Sequence, residues 1–135
     1  MATTQEPMPA KIVRWITKIL VVAIFSVTGW LPKLVLREQS QPLVEALEGY
    51  GGQAAVYGIA AAEIVAIVLL LIPRTAIAGA GLAAVMMVGA IGSHVVGPVG
   101  LEGDFFGVFI AACIALIASV VTGVLELKKG RRGAA

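Results

Sequence analysis

The chain has 135 residues, of which 59% are hydrophobic and only 13% charged, with a net charge of +2. So few charges cannot coat a soluble domain, where about a quarter of residues are charged, and so apolar a chain is not disordered. The single cysteine, Cys113, excludes an intrachain disulfide scaffold and any one-chain dithiol mechanism, which leaves the bilayer as the natural solvent of one domain, 1–135.

The first apolar run covers about 12–31, enough for a bilayer-spanning helix of about 20 residues. It begins among Lys11, Arg14 and Lys18 and is expected to end against Pro32, which cannot continue a helix without losing a hydrogen bond. Cations followed by the apolar stretch 19–27 also resemble a signal peptide, but no A-x-A cleavage site follows, so a retained helix is expected. Arg14 and Lys18 are expected to snorkel to the cytoplasmic interface; the sharper alternative is contact with a lipid phosphate or a partner subunit. Trp15 and Trp30 flank the run as interfacial anchors or as ordinary packing residues. Ser26 and Thr28 are placed to hydrogen-bond across helices.

The connection 32–53 is the only long one. Leu43, Val44, Leu47 and Tyr50 recur in it at near-helical spacing, with Glu45 and Glu48 between them, and Gly49, Gly51 and Gly52 end the pattern. This reads as a short amphipathic helix on the outer surface, which either caps a cavity between the spans or only connects them.

The second run, about 54–72, stops at Pro73 and holds Glu63 near its middle. A carboxyl group at the bilayer centre costs about 2.5–3.5 kcal/mol, so it should face the bundle interior. There it either transfers a proton, recognises a polar ligand head, or makes a structural hydrogen bond between helices. The third run, about 75–96, ends at Gly97-Pro98 and carries the only histidine, His94, toward its outer end. Lys33 follows the first span on the same side. Lys33 and His94 thus share a depth, with Glu63 about 10–15 Å deeper along straight helices. Histidine exchanges protons near neutral pH; the plainer reading is a hydrogen bond to a neighbour. A lone histidine is not a metal site, and His94 with Met86 or Met87 forms no recognisable haem motif. No metal cluster, phosphate loop or catalytic triad is present in the sequence.

The fourth run, about 105–127, meets Lys128 and Lys129. Asp104 is placed as an N-cap before it. Gly103, Gly107, Ala111, Ala115, Ser119 and Gly123 recur every four residues, a small-xxx-small ladder that lets another helix approach along the span, within the bundle or in a homodimer. Shorter versions are Ala54, Gly58, Ala62 and Ala66 on the second span and Gly89, Ser93 and Gly97 on the third.

With four spans, eight basic residues (Lys11, Arg14, Lys18, Arg74, Lys128, Lys129, Arg131 and Arg132) fall on the side of the termini and two, Lys33 and Arg37, on the other. The positive-inside rule then places both termini in the cytoplasm. The basic tail either touches anionic lipid heads or only stops transfer. These cations mark a membrane face and not a nucleic-acid surface. Seven of the eight acidic residues lie in tails, loops or helix ends, which leaves Glu63 as the one buried charge to explain.

The fold class expected is therefore all-α: an integral-membrane four-helix bundle with a short amphipathic helix in its first outer loop. The chain also resembles the DoxX-like family of small four-helix membrane proteins. The resemblance rests on Arg14 at the start of the first helix and on Phe25-Ser26-Val27-Thr28-Gly29-Trp30-Leu31-Pro32-Lys33-Leu34, similar to an F-x-x-x-G-x-x-K-L ending. It rests further on Ala62-Glu63-Ile64-Val65-Ala66 before Leu70-Leu71-Ile72-Pro73, and on Met86-Met87-Val88-Gly89-Ala90 ahead of His94. The resemblance implies a four-helix bundle and an association with redox or stress responses, since the family takes its name from a subunit of a membrane thiosulfate:quinone oxidoreductase.

Three functions compete on this reading. One is a non-catalytic or quinone- or lipid-binding subunit of a membrane redox complex, in which Lys33 and His94 meet the ligand's polar head and Glu63 handles a proton. Another is a small proton-coupled transporter or channel using Glu63. The last is a structural membrane scaffold.

Overall fold

A computed structural model describes residues 7–134; of residues 132–134 it describes the backbone alone. Most of the expected N-terminal tail and the Arg132 side chain lie outside the described part. Helix α1 (Met8–Ile24) opens with a proline in its first turn, where the missing N–H has no partner to lose. It runs into a π-helical stretch, Phe25–Trp30, where Gly29 leaves helical angles (φ −104°, ψ −109°), and then into a short α2 (Leu31–Leu34). The whole, Met8–Leu34, is one span. Pro32 therefore does not end it: the chain restarts at Leu31, so the proline falls in a first turn and costs no hydrogen bond.

Helix α3 (Arg37–Ala46) and a 3-10 turn, Glu48–Tyr50, form the expected amphipathic element. Leu47 joins Val56 and Val99 in a small core, with Leu43, Val44 and Phe105 packed around it. Tyr50 is exposed and does not belong to that apolar face, because the helix ends at Ala46 and its register is lost. Helix α4 (Gln53–Leu71) stops ahead of Pro73, and the Thr75 hydroxyl donates to Leu69 O at 2.8 Å to close the turn into α5 (Ala76–Val95). Helix α6 (Asp104–Ala134) passes well beyond the expected end at 127. Lysine and arginine are good helix formers and favourable near a helix C-terminus, so the basic run extends the helix.

The four long helices are long and apolar enough to cross a membrane, which makes the chain an all-α, multi-pass membrane four-helix bundle. Helix α5 packs between α4 and α6, α6 also packs on α1, and Phe25–Trp30 closes the ring against α4. The core is Val21, Phe25, Leu70 and Met87 with a run of alanines: Ala66, Ala80, Ala83, Ala112, Ala115 and Ala118. Small residues bring backbones close, which is what holds helices together where lipid removes the hydrophobic force. The tightest point is Gly79, where a Cβ would run into the backbone of Leu69 and Leu70.

The four-residue ladder on α6 makes contact over only part of its length. Ala115 and Ser119 are buried, and a Cβ on Gly123 would lie 3.5 Å from that of Ala80. Gly107 is exposed with nothing within 4 Å of a Cβ placed there, and Ala111 is only partly buried. A repeat of four residues turns about 40° further round the helix at each step, so it cannot stay on one face. The face that does stay buried is Ala112, Ala115, Ser119, Thr122 and Glu126.

Candidate functional site

Among the described residues, the charged side chains inside the bundle form two groups, one at each end. At the end away from the termini, the Lys33 Nζ donates to Glu63 Oε1 at 2.8 Å, and both side chains are buried. The local fold explains why they meet. The π-helical stretch and the restart at Leu31 turn Lys33 back toward α4. Gly29 then leaves room for the carboxylate, since a Cβ at that position would lie 2.7 Å from Glu63 Oε2. Oε2 itself is buried and, among the described residues, has no hydrogen-bond partner. The depth difference expected between Lys33 and Glu63 does not keep their side chains apart.

His94 is buried at the end of α5. Its Nδ1 lies 2.7 Å from Gly100 O, and a carbonyl only accepts, so Nδ1 carries the hydrogen and ties the loop ahead of α6 to the helix. Phe105 and Phe109 hold the imidazole by tilted and edge-on contacts, with ring centroids 6.1 and 5.9 Å away.

Lys33, Glu63 and His94 line one cavity of about 330 Å³. Gln39, Ser40, Leu43 and Leu47 cover it from α3 and the residue that follows, so the amphipathic helix caps a cavity and does more than connect. The other walls are mostly apolar: Phe25, Ile59, Met86, Met87, Phe105 and Val108. The volume falls at the low end of the range for ligand pockets, about 300–1,000 Å³, and the lining has their usual form, apolar walls with a few convergent polar groups. Among the described residues no group of His, Cys, Asp and Glu is arranged to hold a metal ion.

At the terminal end, Arg14 and Lys18 do not snorkel outward. They turn into the bundle, with 3% and 1% of their surface exposed, and meet Glu126, itself 4% exposed. The distances to Glu126 Oε1 are 2.9 Å from Arg14 Nη1 and 2.6 Å from Lys18 Nζ. A buried carboxylate within reach makes the interior the better place for both cations. The Thr17 and Thr122 hydroxyls lie 2.7 Å apart in the next layer. Trp15 stacks under both cations, 5.8 Å from Arg14 and 5.0 Å from Lys18. Glu126 thus corrects the expectation that Glu63 is the one buried acidic group to explain. Its signal was the spacing Ser119, Thr122, Glu126, which places it on the buried face of α6. Ser26 and Thr28 also differ from expectation, since they bond within their own helix. Thr28 donates to Ile24 O at 2.8 Å, and Ser26 accepts from Trp30 Nε1 at 3.1 Å.

Comparison with protein-family models, with curated proteins and with solved structures gives no match to this chain.

Proposed function

We propose that this chain is a DoxX-like protein of a bacterial-type cytoplasmic membrane, with both termini cytoplasmic, that serves as a quinone- or lipid-binding subunit of a redox-related complex. The observation that carries the reading is the capped cavity, where an apolar interior converges on Lys33, Glu63 and His94. An apolar molecule with a polar head fits such a lining, and the bilayer supplies molecules of that kind. The order of the motifs around Gly29, Lys33, Glu63, Pro73 and His94 supports the family, although this chain has three residues between Gly29 and Lys33 where the family pattern has two. The excess of basic residues on the terminal side supports the orientation.

Gentle purification from native membranes, followed by solvent extraction and mass spectrometry, tests the proposal. The expected result is a partner polypeptide together with a near-equimolar lipophilic molecule of the quinone class. A chain that brings down neither overturns it. The competing transporter reading needs a polar path from Glu63 to the terminal end. Val21, Phe25, Ala66, Leu70, Ala80 and Ala83 fill that layer instead.

A further inference from the structure

The lysine and the carboxylate of the cavity wall balance each other. Lys33 and Glu63 are the only lysine, arginine, aspartate or glutamate side chains that line the space, and they meet at 2.8 Å. Among the described residues neither makes an ion pair with any other group. The wall around them is mostly apolar, with Phe25, Met87, Val108 and Ala112 facing the same space. In such surroundings a charge is felt across several ångströms, because little dielectric screens it.

We infer that the cavity selects an amphiphile whose head carries no net charge, and that the mutual neutralisation of Lys33 and Glu63 sets this preference. The bilayer offers apolar tails with anionic, cationic and neutral heads, so selection falls on the head. An anionic head drawn to Lys33 competes with Glu63, whose other oxygen has no partner among the described residues to fall back on. A cationic head drawn to Glu63 meets the Lys33 ammonium beside it. Either ion brings one unbalanced charge into an apolar space, which is costly. A neutral head leaves the pair intact. The selection acts through the field of the pair and requires no ligand atom to touch its buried atoms. This inference rests on the proposal that the cavity binds a lipid-like molecule. It narrows that molecule to uncharged heads such as alcohols, ketones and esters, against fatty acids, acidic phospholipids and alkylamines.

The test uses the full chain in a non-ionic detergent at about pH 8, where an alkyl carboxylate is ionised and an alkylammonium keeps its proton. The probe is decanol with a photoreactive diazirine in its tail, and labelled residues are read by mass spectrometry. Plain decanol, decanoate and decylammonium, which share one tail, compete with it. Met87 and Ala112 report the cavity, while Val85 and Ile117, exposed on the outside of the bundle, report the micelle. The expected result is saturable labelling at Met87 and Ala112, displaced by decanol about tenfold or more better than by either ion after scaling to Val85 and Ile117. Glu63→Gln leaves Lys33 unbalanced and should shift competition toward decanoate by a similar factor. Lys33→Met should shift it toward decylammonium. These opposite shifts separate charge from a mere loss of packing. If decanoate or decylammonium displaces the probe from the wild-type cavity as well as decanol, the inference fails while the lipid-like cavity stands. If labelling at Met87 and Ala112 does not saturate, both fail. If the single variants fold and neither changes the order, the pair does not set the selection and the inference is overturned. Should they not fold, the wild-type order of the three competitors decides alone.

Discussion

Lys33 and Glu63 lie 30 positions apart and meet at 2.8 Å, in the space left by the missing side chain of Gly29. The pair depends on that absence. Gly29→Ala should push the carboxylate away and destabilise the fold by about 1–3 kcal/mol, the usual cost of overpacking. Gly107→Ala is the control. A Cβ there meets nothing within 4 Å and gains helix propensity, so stability should hold within about 0.5 kcal/mol. Thermal unfolding of both variants in one detergent checks the contrast.

Breaking the same pair from either side should cost about 3–5 kcal/mol, because each single change strands a buried charge. Lys33→Met and Glu63→Leu are the single variants. Replacing both at once removes both charges and should recover most of the loss, giving a coupling energy above about 2 kcal/mol. Denaturant titration of the four proteins closes the cycle. Additive losses would mean that the two side chains act independently.

The terminal cluster carries a different arithmetic, since one carboxylate faces two cations. Glu126→Leu removes the carboxylate that both Arg14 and Lys18 share inside the bundle. Lys18→Met leaves Arg14 still opposite Glu126 at 2.9 Å. Glu126→Leu should therefore lower the midpoint of thermal unfolding distinctly more than Lys18→Met. Equal losses would show that Lys18 and Glu126 are the only coupled pair.

Much of this bundle is legible in the residues, and the reasons are physical. The bilayer sets a fixed length for each apolar run, so the four spans can be read to within a few positions at most ends. Glu63 can be read because a lone carboxyl in such a run is costly. Lys33 and His94 can be placed at one depth by counting along their helices. The π-helical stretch cannot be read, because nothing in Phe25-Ser26-Val27-Thr28-Gly29-Trp30 specifies where the angles depart. Glu126 looks solvated beside Lys128 and Lys129, since Arg14, which explains its burial, is 112 residues away. The ladder on α6 misleads for a simpler reason, the drift of about 40° at each four-residue step.

The His94 tie to Gly100 links the cavity to the loop that enters α6. Gly100 and Gly103 both take positive φ, 76° and 59°, so the loop is shaped by backbone and by this one side-chain bond. His94→Phe keeps an aromatic ring against Phe105 and Phe109 but removes the donor. The freed carbonyl lies at a partly exposed position where water can reach it, so the net loss should be about 0.5–1.5 kcal/mol. Because the loss is local, amide exchange across residues 97–103 should quicken by up to about tenfold, while exchange in the middle of α5 and α6 stays as it was. Hydrogen-exchange mass spectrometry on the two proteins separates the outcomes. Uniform acceleration through both helices would mean that His94 supports the bundle itself; a change confined to the loop makes it the latch over the cavity's outer edge.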